Sequence, residues 1–192
     1  LSLVAFKSAP ELLLTLAFKG INLSVKYGNN SGSVIPYATY GLILRIIGDV
    51  DKGYKFIKLA SNLSEQLNTK ETKARICLTV NAVVRHMKEH IRETIPAFKE
   101  GYQAGLETGD LEFAAYCAHM EFYHSYWAGM ELVELEKGIA NCSDIIAQLN
   151  QKSVLEYHKL LHQIVINLIN QTENPYTLVS EYYNSEEILQ NS

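Results

Sequence analysis

Apolar positions along the chain recur at intervals of three and four residues, which is the period of an amphipathic helix. Tyr37, Tyr40, Leu44 and Ile47 follow this spacing. No stretch sustains the alternation of apolar and polar positions that is typical of a strand. The pattern predicts helices at about residues 9–26, 35–48, 52–67, 70–88, 92–107, 110–128, 131–149, 152–170 and 175–189.

Several helix starts are marked by a capping side chain three residues before a glutamate. The stretches 8–11, 68–71 and 153–156 have this form, and Asn174-Pro175 marks a further start by placing proline at the first helical position. Residues 27–33, rich in Gly and Asn, are predicted to form a loop. The rest alternates long helices with short turns, so we expect an all-α fold of stacked antiparallel helix pairs.

One predicted helix pair combines small and large apolar residues in a regular way. Gly41, Gly53 and Ala60 would let two helices approach closely, while Leu44 and Ile57 fill the space around them. This spacing resembles the tetratricopeptide repeat (TPR), although the looser copies that follow have a period of about 40 residues instead of 34. The resemblance implies a right-handed superhelix of antiparallel helix pairs, a TPR-like α-solenoid that forms one domain over residues 1–192.

Four stretches carry a narrower similarity: residues 22–29, 37–41, 48–49 and 101–114. They resemble the helical region that follows the predicted ATPase module in large bacterial, notably cyanobacterial, multi-sensor signalling kinases. In that family a Ser/Thr-kinase-like domain precedes the ATPase, and GAF sensor and histidine-kinase domains follow. The resemblance covers about residues 20–170 and implies that the chain is a fragment of a larger protein kinase with an ATP-binding module, acting in two-component signal transduction.

No catalytic motif of such a kinase or ATPase lies in the chain itself. It has no Gly-rich phosphate loop, no Gly-Lys-Ser/Thr triplet and neither the His-Arg-Asp nor the Asp-Phe-Gly motif of protein kinases. Spacing alone also assembles no nucleophile, base and orienting residue. We therefore expect that the chain is not an enzyme and uses no cofactor.

Composition narrows the classes of partner. The 192 residues include 47% hydrophobic ones, enough for a sizeable core. A net charge of −4 lacks the basic excess that nucleic-acid binding needs. The apolar run 12–18 is far shorter than the roughly 20 residues that span a bilayer, so we expect no membrane insertion. Three cysteines without metal-ligand spacing favour buried free thiols and a cytoplasmic location: Cys77, Cys117 and Cys142.

Aromatic residues are most concentrated between residues 116 and 127. At helical spacing they form two stripes, and a helix that is apolar on two sides is usually packed between neighbours. Core packing is therefore one interpretation, and a peptide- or ligand-binding groove is the other, since Tyr and Trp combine contact area with a polar group. The candidate groove residues are Tyr116, His119, Phe122, Tyr123, Tyr126 and Trp127.

Histidine pairs with i, i+4 spacing occur at His86/His90 and His158/His162. Such a pair could hold a divalent metal, but a third ligand is needed and neither pair lies in a His-Glu-x-x-His motif. We expect no metal site, and partly exposed histidines at helix ends instead. The stretch 90–96 faintly resembles the phospho-acceptor box of histidine kinases, although its acidic neighbour is missing and Pro96 suits the first turn of a helix.

The residue patterns predict a non-catalytic scaffold for protein–protein or interdomain interaction, and the resemblance implies that it regulates a multidomain signalling kinase. Its partners would be other domains of the same polypeptide, or a separate protein or peptide. The alternative is a domain that senses a small ligand or a peptide in the aromatic groove. Glu131, Glu134 and Glu136 are interpreted as charges that complement a helix dipole.

Overall fold

A computed structural model describes residues 10–170, and this part of the chain contains eight α-helices and no strand. The helices are α1 (Pro10–Tyr27), α2 (Val34–Ile46), α3 (Val50–Gln66), α4 (Lys70–Thr79), α5 (Ile95–Thr108), α6 (Leu111–Trp127), α7 (Leu132–Gln148) and α8 (Lys152–Asn170). The predicted all-α class is confirmed. Three predictions lie outside the described residues: the helix at 175–189, its start at Asn174-Pro175 and the cap at Ser8.

The helix predicted at 70–88 is not a continuous α-helix. Its α-helical part ends at Thr79, a wider π turn follows at Val80–Val84, and a 3₁₀ turn covers Arg85–Met87. The amide of Arg85 bonds to the carbonyl of Val80, five residues earlier. Three β-branched valines in this segment, which are stiff and crowd an α-helical turn, give a physical reason for the change of winding.

Two of the predicted capping side chains are not caps. Helix α4 begins after Thr69, and Asn68 instead ends α3 with a φ of +47°. Helix α8 begins at Lys152, so Ser153 already lies inside its first turn. The motif spacing is present in both cases, but α4 begins one residue later than the motif places it and α8 begins two residues earlier.

Other helix starts are capped by acidic side chains. The Asp49 carboxylate accepts a hydrogen bond from the Lys52 amide at 3.1 Å. The Glu131 carboxylate accepts from the amides of Val133 and Glu134 at 3.0 and 2.8 Å. These bonds satisfy amides that have no partner within the helix, and they lower the pKa of the Glu131 carboxyl.

Consecutive helices pack against each other, most extensively α2 with α3, α5 with α6, and α4 with α5. In addition α2 contacts α4, α4 contacts α6, and α6 contacts α8. The four even-numbered helices therefore form a row, which we call the even-helix row. Its members contribute the side chains of the candidate site.

The first helix pair is held together at two glycines. A Cβ atom at Gly41 would lie 2.7 Å from Ile57 Cγ1 and 2.9 Å from the Gly53 carbonyl oxygen. A Cβ atom at Gly53 would lie 2.8 Å from the Gly41 carbonyl oxygen. The close approach of α2 and α3 that was predicted from these small residues is confirmed.

Buried apolar residues form three clusters along the chain. The first joins α2, α3, α4 and the π turn, the second joins α6, α7 and α8, and the third joins α7 and α8. All three cysteines are free thiols. Cys117 and Cys142 are buried and Cys77 is half-buried, and burial raises the pKa of Cys77 to about 11 and of Cys142 to about 12. These raised pKa values keep the thiols protonated at neutral pH.

Candidate functional site

All six candidate groove residues lie on helix α6, but they do not share one environment. His119 is buried, and Phe122 and Tyr126 are half-buried between α6 and the helices that follow it. Tyr116 is half-buried on another side of the helix. Tyr123 and Trp127 are exposed, with 39% and 61% of their surface accessible.

The two aromatic stripes of α6 point in different directions. Residues 116, 120, 123 and 127 follow helical spacing along one face. Tyr116 and Met120 line an apolar groove, and Tyr123 and Trp127 continue the same face into solvent. The other stripe, His119, Phe122 and Tyr126, packs towards α7 and α8. The stripe of His119, Phe122 and Tyr126 is thus part of the core, and the stripe that ends at Trp127 is accessible.

The exposed end of α6 carries a small aromatic cluster. The Trp127 ring lies 5.2 Å from the Tyr126 ring and 6.2 Å from the Tyr123 ring, both in edge-to-face geometry. Beyond Trp127 the helix ends at Ala128, whose carbonyl accepts two hydrogen bonds from the Arg92 guanidinium, at 2.8 and 3.2 Å. Trp127 is therefore exposed to solvent while two tyrosines restrict its ring.

Histidines that we expected at helix ends instead lie in the interior. His158 is fully buried in the middle of α8, and His162 one turn later is also buried, so the prediction of partly exposed positions is wrong for this pair. The reason is that α8 turns their side of the helix towards α6 and α7. His90 is exposed, and its Nδ1 accepts a hydrogen bond from the Arg92 amide at the start of a 3₁₀ turn.

The protonation of the buried histidines follows from their partners. His158 Nε2 lies 3.1 Å from the carbonyl oxygen of Ile139, to which only an N–H can bind, so Nε2 carries the proton. His158 Nδ1 is then the acceptor in its 3.2 Å contact with His119 Nδ1, which donates. Burial lowers the pKa of His119 to about 3 and of His158 to about 4.

A further buried histidine, His124, is held in a similar way near the start of α5. The Thr94 hydroxyl donates to the Ile91 carbonyl at 2.6 Å, so it must accept the Nδ1–H of His124 in their 2.6 Å contact. The His124 ring also packs edge-on against Phe98 at 4.9 Å. Burial, together with nearby His86, lowers the pKa of His124 to about 4.

Of the three glutamates that were interpreted as helix-dipole charges, Glu136 has a partner in α8. Glu136 Oε1 lies 2.9 Å from His162 Nε2, whereas Glu131 and Glu134 stand at the first turn of α7. Among residues 10–170, no group of three or more His, Cys, Asp or Glu side chains is arranged to hold a metal ion.

An apolar groove of about 300 Å³ opens on the even-helix row. Thirteen residues from α1, α2, α4, the π turn and α6 line it: Leu13, Ile35, Ala38, Thr39, Leu42, Arg75, Leu78, Thr79, Ala82, Val83, Phe113, Tyr116 and Met120. We call this cavity the even-helix groove. Arg75 is the one charged residue among the thirteen.

Arg75 is fixed in orientation by two neighbours. Its Nε donates to Asp110 Oδ2 at 2.7 Å, and its guanidinium lies 4.9 Å from the centre of the Phe113 ring. The side chain is 42% exposed. The arginine therefore presents a partly neutralised positive charge beside an apolar wall.

Sequence reasoning missed the groove walls contributed by α2 and α4. Ile35, Thr39 and Leu42 form a second face on α2, separate from the face that packs on α3. That second face has helical spacing, so the sequence contains a signal that α2 is apolar on two sides. Which of the two faces stays open depends on how neighbouring helices cross, and periodicity does not contain that information.

Comparison with known proteins gives one informative similarity. The chain is 26% identical over 163 residues to the hybrid signal transduction histidine kinase G of Dictyostelium discoideum, which covers 83% of this chain and 4% of that protein. The chain is thus related to a small part of a signalling kinase, and the relative is not bacterial. No protein-family profile and no solved structure matches the chain.

Among the helices of residues 10–170, none is both long enough and apolar enough to cross a membrane.

Proposed function

We propose that this chain is a non-catalytic, TPR-like scaffold for docking between proteins or domains in a multidomain signalling kinase. Its similarity to a histidine kinase of signal transduction supports the signalling context. Because the matched region is 4% of that relative, the catalytic domains of such a protein would lie elsewhere in its chain. The partners we propose are other domains of the same polypeptide or a separate signalling protein.

The arrangement of helices supports a solenoid. The even-numbered helices begin at Val34, Lys70, Leu111 and Lys152, that is, every 36 to 41 residues. Each even-numbered helix contacts the next one in the row, so the contacts are between neighbouring pairs. Stacked pairs of this kind present one continuous face formed by equivalent helices, and such faces are common docking surfaces.

The observation that carries the docking proposal is the exposed Trp127 on that face. Tryptophan and tyrosine are the residues most enriched among those that dominate binding energy at protein interfaces. Trp127 is already restricted by Tyr123 and Tyr126, which lowers the entropy lost when a partner covers it. Because Trp127 is mostly exposed, it contributes little to the packing of the core. A partner that covers it would bury a large aromatic surface.

Binding between the chain and the neighbouring modules of its parent polypeptide tests this proposal. We expect Trp127→Ala to weaken binding by at least about thirtyfold, which corresponds to about 2 kcal/mol. The matched control is Tyr157→Ala, which removes an aromatic side chain of similar exposure from α8. Undetectable binding by the unsubstituted chain, or equal losses in both variants, would contradict the proposal.

A second candidate function, ligand sensing, is favoured by the even-helix groove beside Tyr116. The groove is open, apolar and of the size of small-molecule sites. We propose that this ligand surface is centred on Tyr116, Met120 and the facing residues of α2 and α4; Tyr116 is the predicted groove residue that lines it.

A further inference from the structure

We propose that the even-helix groove binds a small amphiphile, with its apolar body between α2, α4 and α6 and its carboxylate head at Arg75. This inference deepens the second candidate function and rests on it. It is independent of docking at Trp127.

The size of the groove favours a small molecule over a protein segment. Its volume of about 300 Å³ lies at the lower end of the range for small-molecule sites. Thirteen residues line it, whereas a stable protein interface uses about 20 to 30 residues on each side. The lining residues also span only about two turns of each helix, which limits the length of any body that fits.

The walls define the chemistry of the ligand's body. Leu42, Leu78, Val83 and Met120 are half-buried apolar side chains that line the groove. Thr79 adds a hydroxyl, but it donates its proton to the Arg75 carbonyl of its own helix, at 2.9 Å. A hydrocarbon chain or ring would thus meet an apolar wall, and burying it would be favourable.

Arg75 defines the head group. Its Nε donates to Asp110, and this bond sets the plane of the guanidinium. The two terminal nitrogens are then the donors that would contact the head group of a ligand. A carboxylate matches the planar geometry of a guanidinium in a way that a hydroxyl does not. The contact with Asp110 already offsets part of the charge, so selectivity for a carboxylate should be measurable but modest.

Isothermal titration of the chain with decanoate and with 1-decanol, both below their aggregation limits, tests the inference. We expect saturable binding of one decanoate per chain. Ala82→Phe fills the groove and should weaken both probes by at least about tenfold. Ala147→Phe, which adds the same side chain at an exposed position of α7, should change neither.

Variants at Arg75 test whether this residue binds the carboxylate head group. Arg75→Met should weaken decanoate by about tenfold while leaving decanol nearly unchanged. Lys137→Met removes an exposed positive charge from α7 and should affect neither probe. If Arg75→Met does not fold, Arg75→Lys retains the charge beside Asp110 but loses the planar fork, and we expect it to lower the preference for decanoate over decanol.

Three results would overturn the inference: no saturable decanoate binding, equal binding by the Ala82→Phe variant, or equal loss of both probes in the Arg75 variants. Docking measured in parallel separates this failure from that of the scaffold proposal. Loss of docking in Trp127→Ala with decanoate binding intact would support both proposals. Absent decanoate binding with Trp127-dependent docking intact would remove only the amphiphile site.

Discussion

His119 and His158 share one hydrogen bond between their Nδ1 atoms, 3.2 Å apart in the interior between α6 and α8. The bond requires one nitrogen with a proton and one without, so it is lost when the acceptor, His158 Nδ1, takes up a proton. The Ile139 carbonyl fixes which ring donates. Helix α8 is therefore attached to α6 by a contact that acid removes.

The unfolding free energy should fall as the pH drops below about 6.5. The pKa values of His119, His158 and His124 are lowered to about 3, 4 and 4, from an ordinary value of 6.5. Between these values the unfolded chain takes up protons that the folded chain does not. The stabilisation is therefore complete above pH 6.5 and is lost as the pH falls through the folded values, at up to about 1.4 kcal/mol per pH unit for each histidine.

Urea unfolding between pH 7.5 and 5 measures this slope. His119→Gln cannot take up a proton, and we expect its slope to be smaller by about one histidine's share. Glu121, whose pKa is raised by burial, acts in the opposite direction and cannot cause the fall. A stability that stays constant from pH 7.5 to 5 would show that these rings are not buried as neutral species.

Replacing Thr94 by valine should destabilise the chain by about 1 to 3 kcal/mol. Valine has nearly the same shape, but it leaves the Nδ1–H of buried His124 without an acceptor. Thr108→Val is the matched control, because that hydroxyl is exposed and bonds only to the Ala104 carbonyl of its own helix. Similar losses in both variants, measured by chemical denaturation, would contradict a special role for the Thr94 hydroxyl.

Periodicity predicted the helices well because each one has an apolar side that only burial satisfies. It failed at Val80–Val84, where crowded side chains change the winding without changing the apolar pattern. It also could not distinguish the exposed Trp127 from the buried His119, since both lie on apolar stripes of α6. That difference depends on which neighbour covers each stripe, and contacts between distant helices determine it.

Alanine at Gly41 should destabilise the first helix pair, although alanine normally favours a helix over glycine by about 1 kcal/mol. The added methyl group would lie 2.7 Å from Ile57 Cγ1 and 2.9 Å from the Gly53 carbonyl, and the backbone cannot yield as a side chain can. We expect a loss of about 1 to 3 kcal/mol in thermal or chemical unfolding. Gly53→Ala should behave alike because its new methyl group meets the Gly41 carbonyl.

Gly138→Ala provides the contrast for these two variants. Its methyl group would meet the edge of the Phe122 ring, which can rotate away, so we expect a smaller loss. Unchanged or increased stability in Gly41→Ala would show that α2 and α3 lie farther apart than described.

Asn150 ends helix α7 with a φ of +57°, in the left-handed region that side chains with a Cβ atom avoid. Its amide still bonds to the Ala147 carbonyl at 2.9 Å, and its side chain is exposed. Asn150→Ala should therefore cost about 1 kcal/mol, because asparagine tolerates this conformation better than alanine does. Asn150→Gly should be neutral or slightly stabilising, since glycine adopts this φ without steric cost.

Asn141→Ala, at an exposed position inside α7, serves as the control and should not destabilise the chain, because alanine is the better helix former there. Chemical unfolding of the three variants distinguishes the outcomes, and equal stability of the alanine and glycine variants at position 150 would contradict a left-handed turn between α7 and α8.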